Sequence, residues 1–168
     1  VSKMAQRFGK KETFIISQSI SVIGYILFWF LFIPGKPYMF LFALPFFSFG
    51  IGGLFTLMMS MTADTCDYEE LNNGLPRKEG SFGAIYWWMV KLGTALAGLL
   101  SGLIMYYVGF SADAATQPEG ALTGLRIAYS SIPIIGTLIA IYVMRDYEIN
   151  EDRAAEIRSQ LQHRKGEI

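Results

Sequence analysis

The stretch that decides the fold is residues 81–110, SFGAIYWWMVKLGTALAGLLSGLIMYYVGF. It is long enough to cross a hydrocarbon core about 30 Å thick. Lys91 lies about 15 Å into it, at about 1.5 Å of rise per residue, and therefore near the midplane. A charge there costs at least about 2.5–3.5 kcal/mol, and such residues usually face a bundle interior or a water-filled path. Lys91 is therefore either a contact for a substrate or ion or a partner in an ion pair with a helix outside this chain.

Three further windows share this apolar character, so the sequence predicts an all-α integral membrane protein in a lipid bilayer. The four predicted transmembrane helices cover residues 13–33, 38–61, 81–110 and 121–144. Hydrophobic residues make up 52% of the chain, and aromatic residues collect near the span ends as in membrane interface belts. The zero formal net charge gives no reason to expect nucleic acid, and a single cysteine, Cys66, excludes a disulfide framework.

The distribution of basic residues predicts the topology. Lysine and arginine concentrate in residues 1–12, in the segment 62–80 and in the tail 145–168, whereas the turns 34–37 and 111–120 carry few. The positive-inside rule therefore places a basic loop (1–12), the 62–80 loop and the tail in the cytoplasm of a multi-pass cell-membrane protein. The chain opens with Val1, and we interpret it as a piece of a longer protein.

The tail also predicts a short amphipathic helix beginning after Asn150. Asn150 can cap it, and Glu151 and Asp152 suit the positive N-terminal end. An apolar stripe follows at spacings of three and four residues: Ala154, Ile157 and Leu161. We expect this helix to lie on the cytoplasmic face of the bundle or of the membrane.

Around the third span, Lys91 emerges between two indoles. At about 100° per residue, Trp87 and Trp88 lie about 40° and 60° to either side of it, and Thr94 lies on the same face above small residues. Flat aromatic faces with a few fixed polar donors suit a sugar, and an ammonium can also bind an acidic sugar. The alternative is packing, with Lys91 in a cation–π contact with one indole.

The segment 64–80 mixes acids and bases. It does not match the calcium-loop pattern, because Cys66 occupies a ligand position, and no other metal site is predicted. Either it is a solvated loop or it is a salt-bridged latch at a cytoplasmic gate that re-forms when two rigid halves move. The candidate gate residues are Asp64, Asp67, Tyr68, Glu69, Arg77 and Glu79.

The order of these features resembles a known family. Asp64-x-x-Asp67-Tyr68-Glu69, then Gly74-x-x-Arg77-x-Glu79-Gly80, then Trp88-x-x-Lys91-x-Gly93 is similar to the glycoside–pentoside–hexuronide:cation symporters. These form the melibiose-carrier branch of the major facilitator superfamily. The opening Arg7-x-Gly9-Lys10-Lys11 resembles that superfamily's basic loop between helices.

The resemblance implies that the four spans are helices 9–12 of a sugar symporter and that Lys91 lies beside the central cavity. It implies two small ligands, a sugar and a coupling cation (sodium or a proton), and no other cofactor. The cation would be bound mainly by the amino-terminal half, so the missing eight helices are the implied protein partner.

Two other functions stay open. A membrane-embedded enzyme needs an acid–base pair or an activated nucleophile at depth. Apart from Lys91, and Arg126 near the start of the last span, the polar residues of the predicted spans are hydroxyl residues and Gln18, with no carboxylate or histidine. A non-catalytic membrane subunit, or a carrier of lipid or another solute in the same superfamily, would have the same four helices. An upstream sequence with paired acids in its second helix favours cation symport.

Overall fold

The computed structural model describes residues 1–33, 35–36, 38–74, 76–113, 116–118 and 120–166. Within them the chain is helical and contains no strand, which confirms the all-α prediction. The elements in order are α1 (Ser2–Phe8), α2 (Lys10–Leu31), a 3₁₀ helix (Met39–Ala43), α3 (Leu44–Asn73), α4 (Glu79–Tyr107), α5 (Ala121–Met144) and α6 (Glu151–Lys165).

Four of these helices are long and apolar enough to cross a membrane: α2, the 3₁₀ helix with α3, α4, and α5. The two short turns predicted between the spans, 34–37 and 111–120, lie partly outside the described residues. The missing positions are Pro34, Pro37, Ala114, Ala115 and Glu119.

The prediction of a basic loop at residues 1–12 is wrong in its conformation. The segment forms α1 and the first turn of α2, separated by Gly9, whose φ of 86° allows the sharp change of direction. Lysine and glutamate are good helix formers, so the helix continues past the apolar boundary at Thr13. The first span therefore begins at Lys10 and ends at Leu31.

The prediction of a loop beginning near Asp64 is also wrong. Helix α3 continues to Asn73 and ends at Gly74, which adopts the left-handed conformation with φ 65°. No glycine or proline lies between Leu54 and Asn73, so Gly74 is the first residue that favours a helix C-terminus. Four candidate gate residues therefore lie on α3: Asp64, Asp67, Tyr68 and Glu69.

Helices α2 and α3 pack closely through small residues. A Cβ on Gly50 would lie 1.5 Å from Ser21 Oγ, and one on Gly53 would lie 2.5 Å from Ser17 Oγ. The buried amide of Gln18 donates from Nε2 to the carbonyl of Gly50 at 3.0 Å. Such close approach with a satisfied polar side chain is typical of membrane helix pairs.

The 3₁₀ helix ends at Ala43, and Pro45 lies in the first turn of α3, where its missing N–H is not needed. We expect from the sequence a kink within this span. The structure instead has a change of helix type at Leu44.

Helix α4 differs from the other three spanning helices because none of its residues is buried. A Cβ on Gly98 or Gly102 would meet nothing within 4 Å, so the GxxxG spacing of α4 makes no close helix contact in the part of the chain that is described. Helices α2, α3 and α5 form the packed body, and α4 leaves most of its surface available to other segments.

Candidate functional site

Lys91 lies in the fourth turn of α4 and is exposed. Among the described residues it has no hydrogen bond and no ion pair. An ammonium without a partner in the apolar zone is costly, so this side chain requires either water or a partner from outside the described segments.

The face of α4 that carries Lys91 points away from α5. A cleft of about 420 Å³ separates α4 from α5, and it is lined on the α4 side by Gly93, Leu96, Ala97, Leu100, Ser101, Ile104 and Met105. Most of these residues lie between about 140° and 240° from Lys91 around the helix. The charged face and the α5-facing apolar face are therefore on opposite sides of α4.

Both candidate aromatic residues lie on the open side beside Lys91. Trp88 is 62% exposed and Trp87 50% exposed, and Trp87 makes an edge contact with Tyr86 at a centroid distance of 5.4 Å. The Trp88 ring has no described aromatic or cation–π contact with another described residue. Aromatic packing against the described residues therefore does not account for the exposed Trp88 ring.

Thr94 also lies on this side, but its hydroxyl is already used. Its Oγ1 donates to the Val90 carbonyl at 2.9 Å, the usual bond of a mid-helix threonine to the preceding turn. The oxygen keeps acceptor capacity for a ligand hydroxyl. Thr94 is therefore a candidate acceptor and not a free donor.

Charged side chains join the end of α3 to the start of α4. Arg77 Nε lies 3.2 Å from Asp67 and 3.1 Å from Glu79, and Lys78 lies 2.7 Å from Glu69. We call Asp67, Glu69, Arg77, Lys78 and Glu79 the ion-pair cluster. It brings together four of the six candidate gate residues and adds Lys78. The position of Lys78 directly after Arg77 is the sequence feature that could have identified it as a gate residue.

The other two candidate gate residues lie elsewhere. The buried carboxylate of Asp64 pairs with Lys10 at the start of α2, which places it against the opening basic segment. Tyr68 is exposed and has no hydrogen bond to another described residue. Sequence analysis missed the Lys10–Asp64 pair because the two residues are 54 positions apart.

The tail helix α6 covers the same end of α3. Ala154, Ile157 and Leu161 are buried, which confirms the apolar stripe, and Asn150 caps the helix by accepting from the Arg153 N–H at 2.8 Å. Lys165 lies 3.0 Å from Glu70, a second ion pair that the sequence did not indicate. The structure therefore places α6 on α3 and decides between the two locations predicted for it.

Tyr147, in the link between α5 and α6, lies beside the core formed by Phe14, Leu57 and Met61. Burial, together with the nearby Asp64 carboxylate, raises the pKa of Tyr147 to about 12. The phenol therefore stays neutral at physiological pH. Within the described residues, no group of three His, Cys, Asp or Glu side chains could hold a metal ion.

The profile of the family described as MFS/sugar transport protein matches residues 1–151. The glucuronide carrier protein homolog of Escherichia coli (strain K12) is 30% identical over 98% of this chain and 35% of its own length. The isoprimeverose transporter of Lactiplantibacillus pentosus is 27% identical over 88% of this chain and 30% of its own.

The uncharacterized symporter YjmB of Bacillus subtilis (strain 168) is 28% identical over 92% of this chain and 33% of its own length. The chain thus spans about a third of the length of the curated relatives it matches. No solved structure matches it significantly.

Proposed function

Because the chain belongs to the MFS/sugar transport protein family, we propose that it forms the C-terminal part of a cation-coupled sugar symporter. Its spans α2, α3, α4 and α5 would be helices 9–12. The observation that carries the proposal is Lys91, an exposed charge at mid-depth on the side of α4 that faces away from α5. In an intact transporter that side would line the path between the two halves.

The substrate would be a glycoside, pentoside or hexuronide taken up by alternating access. The Lys91 ammonium would donate to a sugar hydroxyl or carboxylate, and Trp88, with Trp87, would present a flat surface to the C–H side of the ring. Thr94 would accept from a hydroxyl. These roles need no covalent chemistry, and we propose that the protein is not an enzyme.

The coupling cation, sodium or a proton, would bind mainly to the eight helices that precede helix 9. No other cofactor is proposed. The ion-pair cluster and the Lys10–Asp64 pair would form this half's side of the cytoplasmic gate, because charged groups at these helix ends could exchange partners with the other half when the halves rock. Their exchangeable partners, such as Arg77 between Asp67 and Glu79, suit contacts that break and re-form.

We further propose a plasma-membrane location with both ends of the chain in the cytoplasm. Support comes from the basic residues at those ends and around the ion-pair cluster. The membrane-spanning helices themselves follow from length and composition.

The test is uptake by the full-length protein reconstituted in lipid vesicles. Labelled glucuronide, isoprimeverose, melibiose and an amino acid as a non-sugar control would be offered with a sodium gradient, a proton gradient or neither. We expect at least one sugar to accumulate only when one gradient is present. Accumulation of the amino acid alone, or of nothing under any gradient, would contradict the proposal.

A further inference from the structure

We infer that Lys11 and Arg126 lock the register of α2 against α5. Lys11, on α2, donates to carbonyls at the C-terminal end of α5, and Arg126, on α5, donates to a carbonyl at the C-terminal end of α2. The two helices run antiparallel, so the end of one lies beside the beginning of the other. Neither residue belongs to the proposed substrate path or to the ion-pair cluster, and the inference holds whether or not the sugar proposal does.

At one end, Arg126 of α5 serves the C-terminus of α2. Its Nη2 donates to the carbonyl of Trp29, and its guanidinium lies 4.8 Å from the centre of the Trp29 ring. The ordinary partner of that carbonyl would be the Ile33 N–H, which instead donates to Leu31 at 3.0 Å. Arg126 therefore satisfies a carbonyl that the end of the helix leaves free.

At the other end, Lys11 of α2 serves the C-terminus of α5. Its Nζ donates to the carbonyl of Arg145 at 2.6 Å and to that of Tyr147 at 3.0 Å. These carbonyls lie just beyond Met144, the last residue of α5. A cation at a helix C-terminus also interacts favourably with the helix dipole.

The spacing of the two contacts matches the membrane. Lys11 and Trp29 are separated by about 27 Å along α2 at 1.5 Å of rise per residue. This is close to the hydrocarbon thickness of about 30 Å, so each contact lies near one interface. A side-chain donor there replaces the intrahelical N–H donors that the last carbonyls of a helix lack.

A shift of α2 along α5 would break both contacts together. Such a shift would also disturb the packing of Met144 and Tyr147 against the core cluster that contains Phe14. Helix α4 has no comparable contact with α5 among the described residues. We therefore assign α2 and α5 to one rigid unit, while α4 is free to change its position within this part of the molecule.

The test is a double-mutant cycle on the purified full-length protein. Lys11→Met and Arg126→Met remove the donors, Lys11→Arg and Arg126→Lys keep a donor, and Lys3→Met on exposed α1 is the matched control. The midpoint of thermal unfolding would be measured for each variant, for the pair together and for the wild type.

Each Met variant should lower the midpoint of thermal unfolding. The Lys11→Arg variant should lower it much less than Lys11→Met does, and Lys3→Met should leave it unchanged. The double variant should lose less than the sum of the two, because a register lock is already released by the first change. Residues so far apart would add if they were two separate caps. Additive losses, or no loss in either single variant, would overturn the inference.

A second measurement does not depend on the variants folding. Spin labels at exposed Ile23 of α2, Leu99 of α4 and Leu138 of α5 would be introduced in pairs with Cys66 replaced by alanine. We expect a narrower distance distribution for the α2–α5 pair than for the α4–α5 pair. Equal widths, or a broader α2–α5 distribution, would also overturn the inference.

Discussion

Lys91 is the strongest candidate for a contact with substrate, because its charge lies near the membrane midplane and is costly to place there. The sequence alone indicates its depth, and the structure adds that its side of α4 is open and lies opposite the cleft with α5. A charge kept there at a cost of at least about 2.5–3.5 kcal/mol needs a compensating use.

We therefore expect Lys91→Ala in the full-length protein to abolish gradient-driven sugar accumulation while leaving membrane insertion intact. Lys91→Arg should also impair it, because a planar guanidinium does not replace a compact ammonium in a fitted site. Vesicle uptake and the amount of inserted protein would be measured together, with Lys3→Ala as the control. Near-normal accumulation by Lys91→Ala or Lys91→Met would remove the proposed role.

Trp88 is the second residue with a specific expectation. Its ring is 62% exposed, so a sugar that covers it would gain a large apolar contact. Trp88→Ala should weaken sugar binding by about 1.5–3 kcal/mol, the value of one large buried side chain. Trp88→Phe should cost less, because a flat face remains.

Sugar affinity and melting temperature would be measured on the same purified Trp88 variants, with Trp87→Ala as the neighbour for comparison. A lower melting temperature with normal affinity would assign Trp88 to packing. Unchanged affinity in the alanine variants of both tryptophans would exclude an aromatic platform on this face.

At this scale the sequence predicts single positions better than pairs. Lys91, Trp87 and Trp88 share a face because helix geometry is regular, and that reasoning needs no other helix. The partners of Asp64 and Glu70 could not be predicted, because each lies on another helix far along the chain. Pairing of that kind depends on how helices pack, which a local pattern does not contain.

At the scale of secondary structure, the formation of the tail helix α6 could be predicted from the sequence, but its docking on α3 could not. Its cap, its stripe and its start follow from Asn150 and the spacing of Ala154, Ile157 and Leu161. Its docking on α3 depends on the extra turns of α3 beyond Met61. Those turns are polar, and hydropathy alone therefore places the end of the helix too early.

The docking of α6 should depend on its apolar stripe more than on its ion pair. Ile157 is 1% exposed, and burying it contributes about 1.5–3 kcal/mol. The Lys165–Glu70 pair is partly solvated, with a half-exposed ammonium and a largely buried carboxylate, and contributes about 1 kcal/mol. Ile157→Asp should therefore release the tail, whereas Lys165→Gln should change it little.

Limited proteolysis of the full-length protein would follow the release of α6, with Glu156→Gln on the exposed side of the helix as the matched control. Faster cleavage in residues 150–165 is expected for Ile157→Asp alone. Equal protection of Ile157→Asp and the wild type would show that α6 is held by something other than the stripe.

At the scale of the whole molecule, the four spans and the family could be predicted from the sequence. Apolar length identifies the spans, and the ordered motifs around Asp67, Arg77 and Lys91 identify the relatives. The exposure of α4 could not be predicted, because it depends on which helices this chain contains. The motifs of a family describe the intact protein. The matched relatives are about three times as long as this chain.

Topology is a whole-molecule property with a simple test. Cys66 lies in the predicted loop and is a natural choice for labelling, but the structure buries it within α3, so it is a poor probe. Cysteines at exposed Gln160 and Ser111 should replace it in a Cys66→Ala background. An impermeant thiol reagent should label Gln160→Cys only from the cytoplasmic side and Ser111→Cys only from outside; the reverse pattern would invert the proposed topology.

The central claim is that the Lys91 side of α4 lines a sugar path. Single cysteines at Ala95 and Gly98 report on that side, and cysteines at Leu96 and Leu100 report on the side toward α5. The measurement is the rate at which an impermeant thiol reagent labels each variant of the full-length protein, with and without a transported sugar. We predict that Ala95→Cys and Gly98→Cys react and that sugar protects them, while Leu96→Cys and Leu100→Cys react slowly with or without sugar. Fast, sugar-protected labelling at Leu96 and Leu100 with none at Ala95 and Gly98 would contradict the claim.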